Sequence, residues 1–246
     1  MINFLRKEKY SISDLIEIMR ILRSDEGCPW DREQTHESIR MNFIEEAYEA
    51  CEAIDNNDPV LLCEELGDVL AQVVFHSEIE RDAGRFDIND VADGVCKKFI
   101  LRHPHVFGDC TVKDSAEVLK NWDDIKRIEK NQETHFSAMD SVARSLPSLM
   151  RADKLLGKAK KAGLTQEGAE EISKKISDAL QSGSSIDIGD ILFNILKLSR
   201  ILKVNSEQAL YDRCEKFISG FGALEEAACG SEEYLKQLLA ENADKL

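Results

Sequence analysis

Apolar residues recur at helical spacing almost from the start of this chain. Ile12, Leu15, Ile16, Met19 and Leu22 fall on one stripe of a 3.6-residue repeat, behind Ser11 or Ser13 as N-cap. Only four prolines and thirteen glycines interrupt the 246 residues. Both residue types break helices, so their scarcity leaves long helices as the main way to bury the 43% of residues that are hydrophobic. Beyond the first helix, the pattern predicts helices over residues 35–56, 59–83, 87–101 and 115–131. Asp58 caps the 59–83 helix, Pro59 opens it where a missing N–H is harmless, and Gly84 stops it. Loops are predicted at 25–31 and 103–109, and a polar segment leads to Pro147. The expected fold class is all-α.

The chain also repeats itself. Leu66-Gly67-Asp68-Val69-Leu70 returns as Ile188-Gly189-Asp190-Ile191-Leu192, and Cys96-Lys97-Lys98-Phe99-Ile100 as Cys214-Glu215-Lys216-Phe217-Ile218. Order and approximate spacing are kept, which marks a tandem duplication of a helical unit. The expected organisation is an N-terminal repeat over 11–110, a helical linker over 111–163 and a C-terminal repeat over 164–246. A short helical repeat buries too little alone, so a homodimer is expected.

Several function classes are disfavoured. A net charge of −15 repels a nucleic-acid polymer or an anionic membrane, though a divalent cation can reverse the sign locally. The longest apolar stretches, 69–75 and 191–198, are too short to cross a bilayer, and residues 1–11 lack the apolar run of a signal peptide. Seven scattered cysteines without Cys-x-x-Cys point to a reducing cytoplasm rather than a disulfide framework. No Gly-x-x-x-x-Gly-Lys-Ser/Thr loop is present.

The residues that carry chemistry are acidic. Glu45-Glu46-x-x-Glu49 lies on the 35–56 helix and Glu65-x-x-Asp68 on the 59–83 helix. Residues three apart share a helical face, and the short connection at Pro59 makes the two helices neighbours, so the carboxylate pairs can face each other. In a chain with 47 acidic residues, a solvated acidic face is the competing interpretation. Leu61, Phe75 and Ile79 fall on the same side as Glu65 and Asp68, which a purely solvated face would not carry. Two like charges ~5 Å apart cost about 3 kcal/mol at an effective dielectric of 20, so a convergent set needs cations or protons. Oxygen ligands without His or Cys suit Mg²⁺ or Mn²⁺, and magnesium commonly bridges to a substrate phosphate. Lys98 and Arg102, four apart, supply a basic pair suited to phosphate.

Five strings in order resemble the MazG family: Cys28-Pro29-Trp30-Asp31-x-x-Gln34-Thr35, the two acidic motifs, Gly84-Arg85-Phe86-Asp87, Arg102-His103-Pro104-His105-Val106-Phe107, and Arg144-Ser145-Leu146-Pro147-x-Leu149-Met150-Arg151-Ala152. The resemblance implies an all-α nucleoside triphosphate pyrophosphohydrolase, cutting between the α- and β-phosphates, built as a four-helix bundle completed by a second subunit. It implies Glu46, Glu49, Glu65 and Asp68 as magnesium ligands and Lys98 and Arg102 as phosphate contacts. Glu45 becomes the acid that orients or deprotonates water, and Trp30 either stacks on a base or anchors its loop. The second copy departs from this pattern. It reads Lys174-Lys175-x-x-Asp178, or in another register Glu170-Glu171-x-x-Lys174, followed by Asp187-x-x-Asp190. A lysine in a magnesium position inverts the local charge, so turnover is expected in the first copy alone. The alternative is a non-catalytic nucleotide sensor or helical regulator.

Overall fold

A computed structural model describes residues 4–129, 134–181 and 187–244. Their regular structure is entirely helical: α1 (Ile12–Arg23), α2 (Pro29–Glu33), α3 (Arg40–Asp55), α4 (Pro59–Asp82), α5 (Ile88–Arg102), α6 (Pro104–Phe107), α7 (Ser115–Glu129), α8 (His135–Asp140), α9 (Ser148–Lys161), α10 (Ala169–Gln181), α11 (Ile188–Leu202), α12 (Ser206–Ala227) and α13 (Glu232–Glu241). No described helix is long and apolar enough to cross a membrane. The chain divides into two compact units, residues 1–122 and 123–246.

In the first unit the helix ends follow local chemistry. Ser11 caps α1 in a reciprocal box with Asp14, whose carboxylate accepts the Ser11 N–H at 2.8 Å. Asp58 accepts the N–H groups of Val60 and Leu61 at 2.9 and 3.0 Å, with Pro59 at the first helical position. Gly84 ends the segment at φ +70°, a conformation that costs glycine little. Asp87 caps α5 in a second box with Asp90.

Four differences from the expected pattern have local causes. The 25–31 loop contains the start of a short helix, α2, opened by Pro29. The next helix begins at Arg40, not at residue 35. Thr35 donates its N–H to Ser38 Oγ at 2.9 Å, and Ser38 donates its own to Thr35 Oγ1 at 3.3 Å. Such side-chain bonds compete with the helical ladder and hold residues 35–38 as a turn. Likewise Pro104 opens α6 inside the expected 103–109 loop, and Thr134 caps α8 in the polar segment.

α3 and α4 form a tightly packed hairpin, and α1 packs across α4. The buried centre is Met19, Ile39, Val74 and Phe75, with Leu15, Ile16, Ile79 and Ile88 against it. On the α4 surface that carries Glu78, the fully buried carboxylate receives Arg20 Nε at 3.1 Å and also pairs with Arg81. A buried charge held this way avoids the penalty of an unpaired one.

The second unit has its own hairpin, α10 with α11. α9 lies within the stretch expected to link the halves and packs on α11 and α12. Leu156, Ile172, Ile191 and Leu196 are its buried apolar residues on α9, α10 and α11. The expected connection at 181–185 lies, beyond Gln181, outside the described residues.

Phe75 reports on the first unit's core. Phe75→Ala is expected to lower stability by about 3–5 kcal/mol in urea unfolding. A loss below about 1 kcal/mol would show that this ring does not hold the helices together.

Candidate active site

α3 carries Glu45, Glu46 and Glu49, and α4 carries Glu65 and Asp68 one to three turns past its proline. Because the connection at residues 56–58 is short, the two acidic stretches come together. One carboxylate oxygen each from Glu46, Glu49 and Glu65 lies within 4.8 Å of the other two. Among the described residues these form the one such group of three His, Cys, Asp or Glu side chains. Glu46 and Glu65 are half-buried, while Glu49 and Asp68 are exposed.

The electrostatics confirm close approach. Burial first, then Asp68, Glu49 and Glu65, raise the Glu46 carboxyl above its ordinary range. Burial first, then Glu49, Glu64 and Asp68, raise Glu65 likewise. No lysine or arginine is among these causes. Glu46 and Glu65 are thus crowded by like charges, an arrangement that favours a proton or a cation. Hard oxygen donors on two rigid helices fit a divalent cation of the Mg²⁺, Mn²⁺ or Ca²⁺ type.

The other predicted site residues lie on α2, α3 and α5, outside the group of three carboxylates. Glu45 is exposed on α3. Lys98 is half-buried on α5, its ammonium 5.9 Å from the Phe99 ring centroid. Arg102 is buried in the last turn of α5. Trp30 is 60% exposed on α2. Sequence reasoning passed over a second polar cluster, His36 and His76 with Glu80 and Arg85. His76 and Glu80 have helical i,i+4 spacing, but nothing in the sequence joins position 36 to position 76.

In the second half, two of the groups read as counterparts in the sequence have other partners. Asp187 is the N-cap of α11 and accepts the Asp190 N–H at 3.0 Å. Lys175 pairs with Glu167 and Glu171. Glu65 sits inside its helix with a free face, whereas Asp187 stands at a helix start with its oxygen on the backbone.

Comparison with known proteins agrees with the geometry. A family model described as the MazG nucleotide pyrophosphohydrolase domain matches residues 34–107, which contain the whole acidic cluster. The chain is 39% identical over 240 residues to the nucleoside triphosphate pyrophosphohydrolase/pyrophosphatase MazG of Thermotoga maritima, covering 94% of this chain and 92% of that protein. It is 39% identical over 228 residues to the nucleoside triphosphate pyrophosphohydrolase of Escherichia coli K12, covering 87% of each. It is also 41% identical to the Bacillus subtilis protein YabN over 98% of this chain, but spans only about half of that relative, 52%.

Crowding predicts a stability signature. A carboxyl whose folded pKa is raised favours the fold at low pH and destabilises it as pH rises through that raised range. In chelator-treated protein, Glu46→Gln is therefore expected to raise the melting midpoint by about 2–4 °C near pH ~8, a gain that shrinks towards pH ~5. Calorimetry in EDTA checks this, and an equal or lower midpoint at the higher pH would show that these carboxylates do not repel.

Proposed function

The chain belongs to the MazG family, and on that premise we propose that its first unit hydrolyses nucleoside triphosphates to the monophosphate and pyrophosphate at the Glu46, Glu49, Glu65 and Asp68 site, with Mg²⁺ or Mn²⁺ as cofactor. The observation that carries this reading is the convergence of three carboxylates within 4.8 Å across two helices, with Glu46 and Glu65 raised by burial and by the neighbouring acids. A divalent ion held there would neutralise triphosphate charge and lower the pKa of a bound water.

The remaining roles follow from residue chemistry. Glu45, exposed beside Glu46, accepts the proton of the attacking water as its oxygen bonds to the α-phosphorus. The bond to the bridging oxygen breaks and pyrophosphate leaves. Lys98 and Arg102 receive phosphate oxygens, Arg102 through a planar fork and Lys98 as a point charge. Trp30, with its ring open to solvent, stacks on the base. The second repeat packs and does not turn over, since Asp187 and Lys175 are already engaged.

A homodimer belongs to the same reading. Met41 and Tyr48 on α3, Leu66 on α4 and Phe99, Ile100 and Leu101 on α5 are exposed apolar side chains. A second copy covering them would complete a four-helix bundle.

Pyrophosphate release from a panel of nucleoside triphosphates with Mg²⁺ tests the activity. Glu49→Gln is expected to lower turnover by more than about 100-fold, while Asp190→Asn stays within about twofold of the parent. Orthophosphate as the product would mean a different bond is cut. Binding without turnover would instead make the protein a nucleotide sensor.

A further inference from the structure

His36 lies in the turn ahead of α3, and His76 lies on α4, about two turns beyond Asp68. Their Nδ1 atoms are 2.7 Å apart, with ring centroids 5.0 Å apart and planes inclined by only 14°. Phe43, one turn before Glu46 on α3, sets its edge against His76 at 5.8 Å. The far nitrogen of His36, Nε2, is 2.5 Å from Glu80 Oε1, and Glu80 is gripped by Arg85 at 2.5 and 2.6 Å.

This geometry dictates where the protons are. Arg85 and His36 hold the Glu80 carboxyl down to about 2, so Glu80 is an acceptor and His36 Nε2 carries a hydrogen. In the neutral pair, His36 Nδ1 is then a bare acceptor and His76 Nδ1–H donates to it. With one added proton the pair can keep its bond, one Nδ1–H still facing one bare Nδ1. Adding a second sets N–H against N–H, and the contact fails.

Glu37, next to His36 in the turn, has its carboxyl lowered first by backbone and Thr35 hydrogen bonds and in part by His36, and the other charges around the pair are engaged elsewhere. From α1, Arg20 is held by Glu78, while Arg23 is held by Asp82 and the carbonyls of Asp31 and Gln34. On α4, Arg81 pairs with Glu78 and Asp82. Next to α2, Arg32 pairs with Asp25, and α3 offers only the Phe43 ring.

We infer that His36 and His76 form a single-proton clamp fastening the start of α3 to α4, which sets Glu46 and Glu49 against Glu65. The inference rests on the proposed metal site, whose ligands the clamp positions. Burial, and then His36, hold His76 below the ordinary histidine value of 6.5. The native state thus resists the second proton more than the unfolded chain does. The clamp's contribution is complete above that ordinary value and is lost as pH falls through the depressed one.

Mn²⁺ titrations from pH ~8 to ~5.5 test it on the full chain, with His76→Gln as the variant, because an amide can bond to His36 without titrating. At the upper pH the two proteins are expected to bind within about twofold of each other. At the lower pH the parent is expected to bind about tenfold more weakly than the variant, whose site carboxylates protonate as in the parent. Superimposable profiles would overturn the clamp. Imidazole ¹⁵N spectra of the parent give a readout independent of metal and of the variant's folding. A single Nδ1 proton shared by the pair near pH ~8 supports the clamp, and two independently titrating rings overturn it. Absence of Mn²⁺ uptake at every pH would sink the metal site, and the spectra would still decide the clamp.

Discussion

The first unit depends on one conflict, between packing and charge at the α3–α4 hairpin. A three-residue connection with a proline start leaves these helices no choice but to lie side by side, and Ala50 and Ala53 are buried on α3. Small side chains allow close approach, and close approach brings Glu46 and Glu49 to Glu65. Apolar burial at Val74 and Phe75 anchors the other end of α4 and opposes the repulsion. The fold thus keeps a cluster of carboxylates that it has not neutralised, the state a cation site needs before it is filled.

Other acids of α4 show what the chain does when a carboxylate serves structure. Glu78 is fully buried between Arg20 and Arg81, and Glu80 sits against Arg85 and His36. Both are paired in hydrogen-bonding geometry. Charge pairing at Glu78 and Glu80 contrasts with Glu65 on the same helix, which is raised by burial and by neighbouring acids. The second unit also has a helical hairpin, α10 with α11, where Asp187 caps a helix and Glu167 joins ion pairs.

Much of this was legible beforehand because it is local. The Ser11, Asp58 and Asp87 helix starts and the Gly84 stop follow from side chains within three residues of each helix end. The approach of Glu46 and Glu49 to Glu65 was legible too, since a short connection between two helices with three-residue acidic spacing has few alternatives. The late start of α3 was missed because Thr35 and Ser38 trade hydrogen bonds that periodicity does not register. α2 was missed because five residues are too few to show a period.

By itself, the order of residues determined an all-helical chain, the ends of its main helices and the adjacency of two acidic stretches. Each of these depends on groups a few positions apart, or on a connection too short to allow a different path. Only the tertiary structure decided which carboxylates are crowded and which are paired, and that His36 meets His76 forty residues away. Those outcomes depend on how helices rotate and tilt when their apolar faces pack. That rotation is set by many weak contacts at once, and no short stretch of sequence contains it.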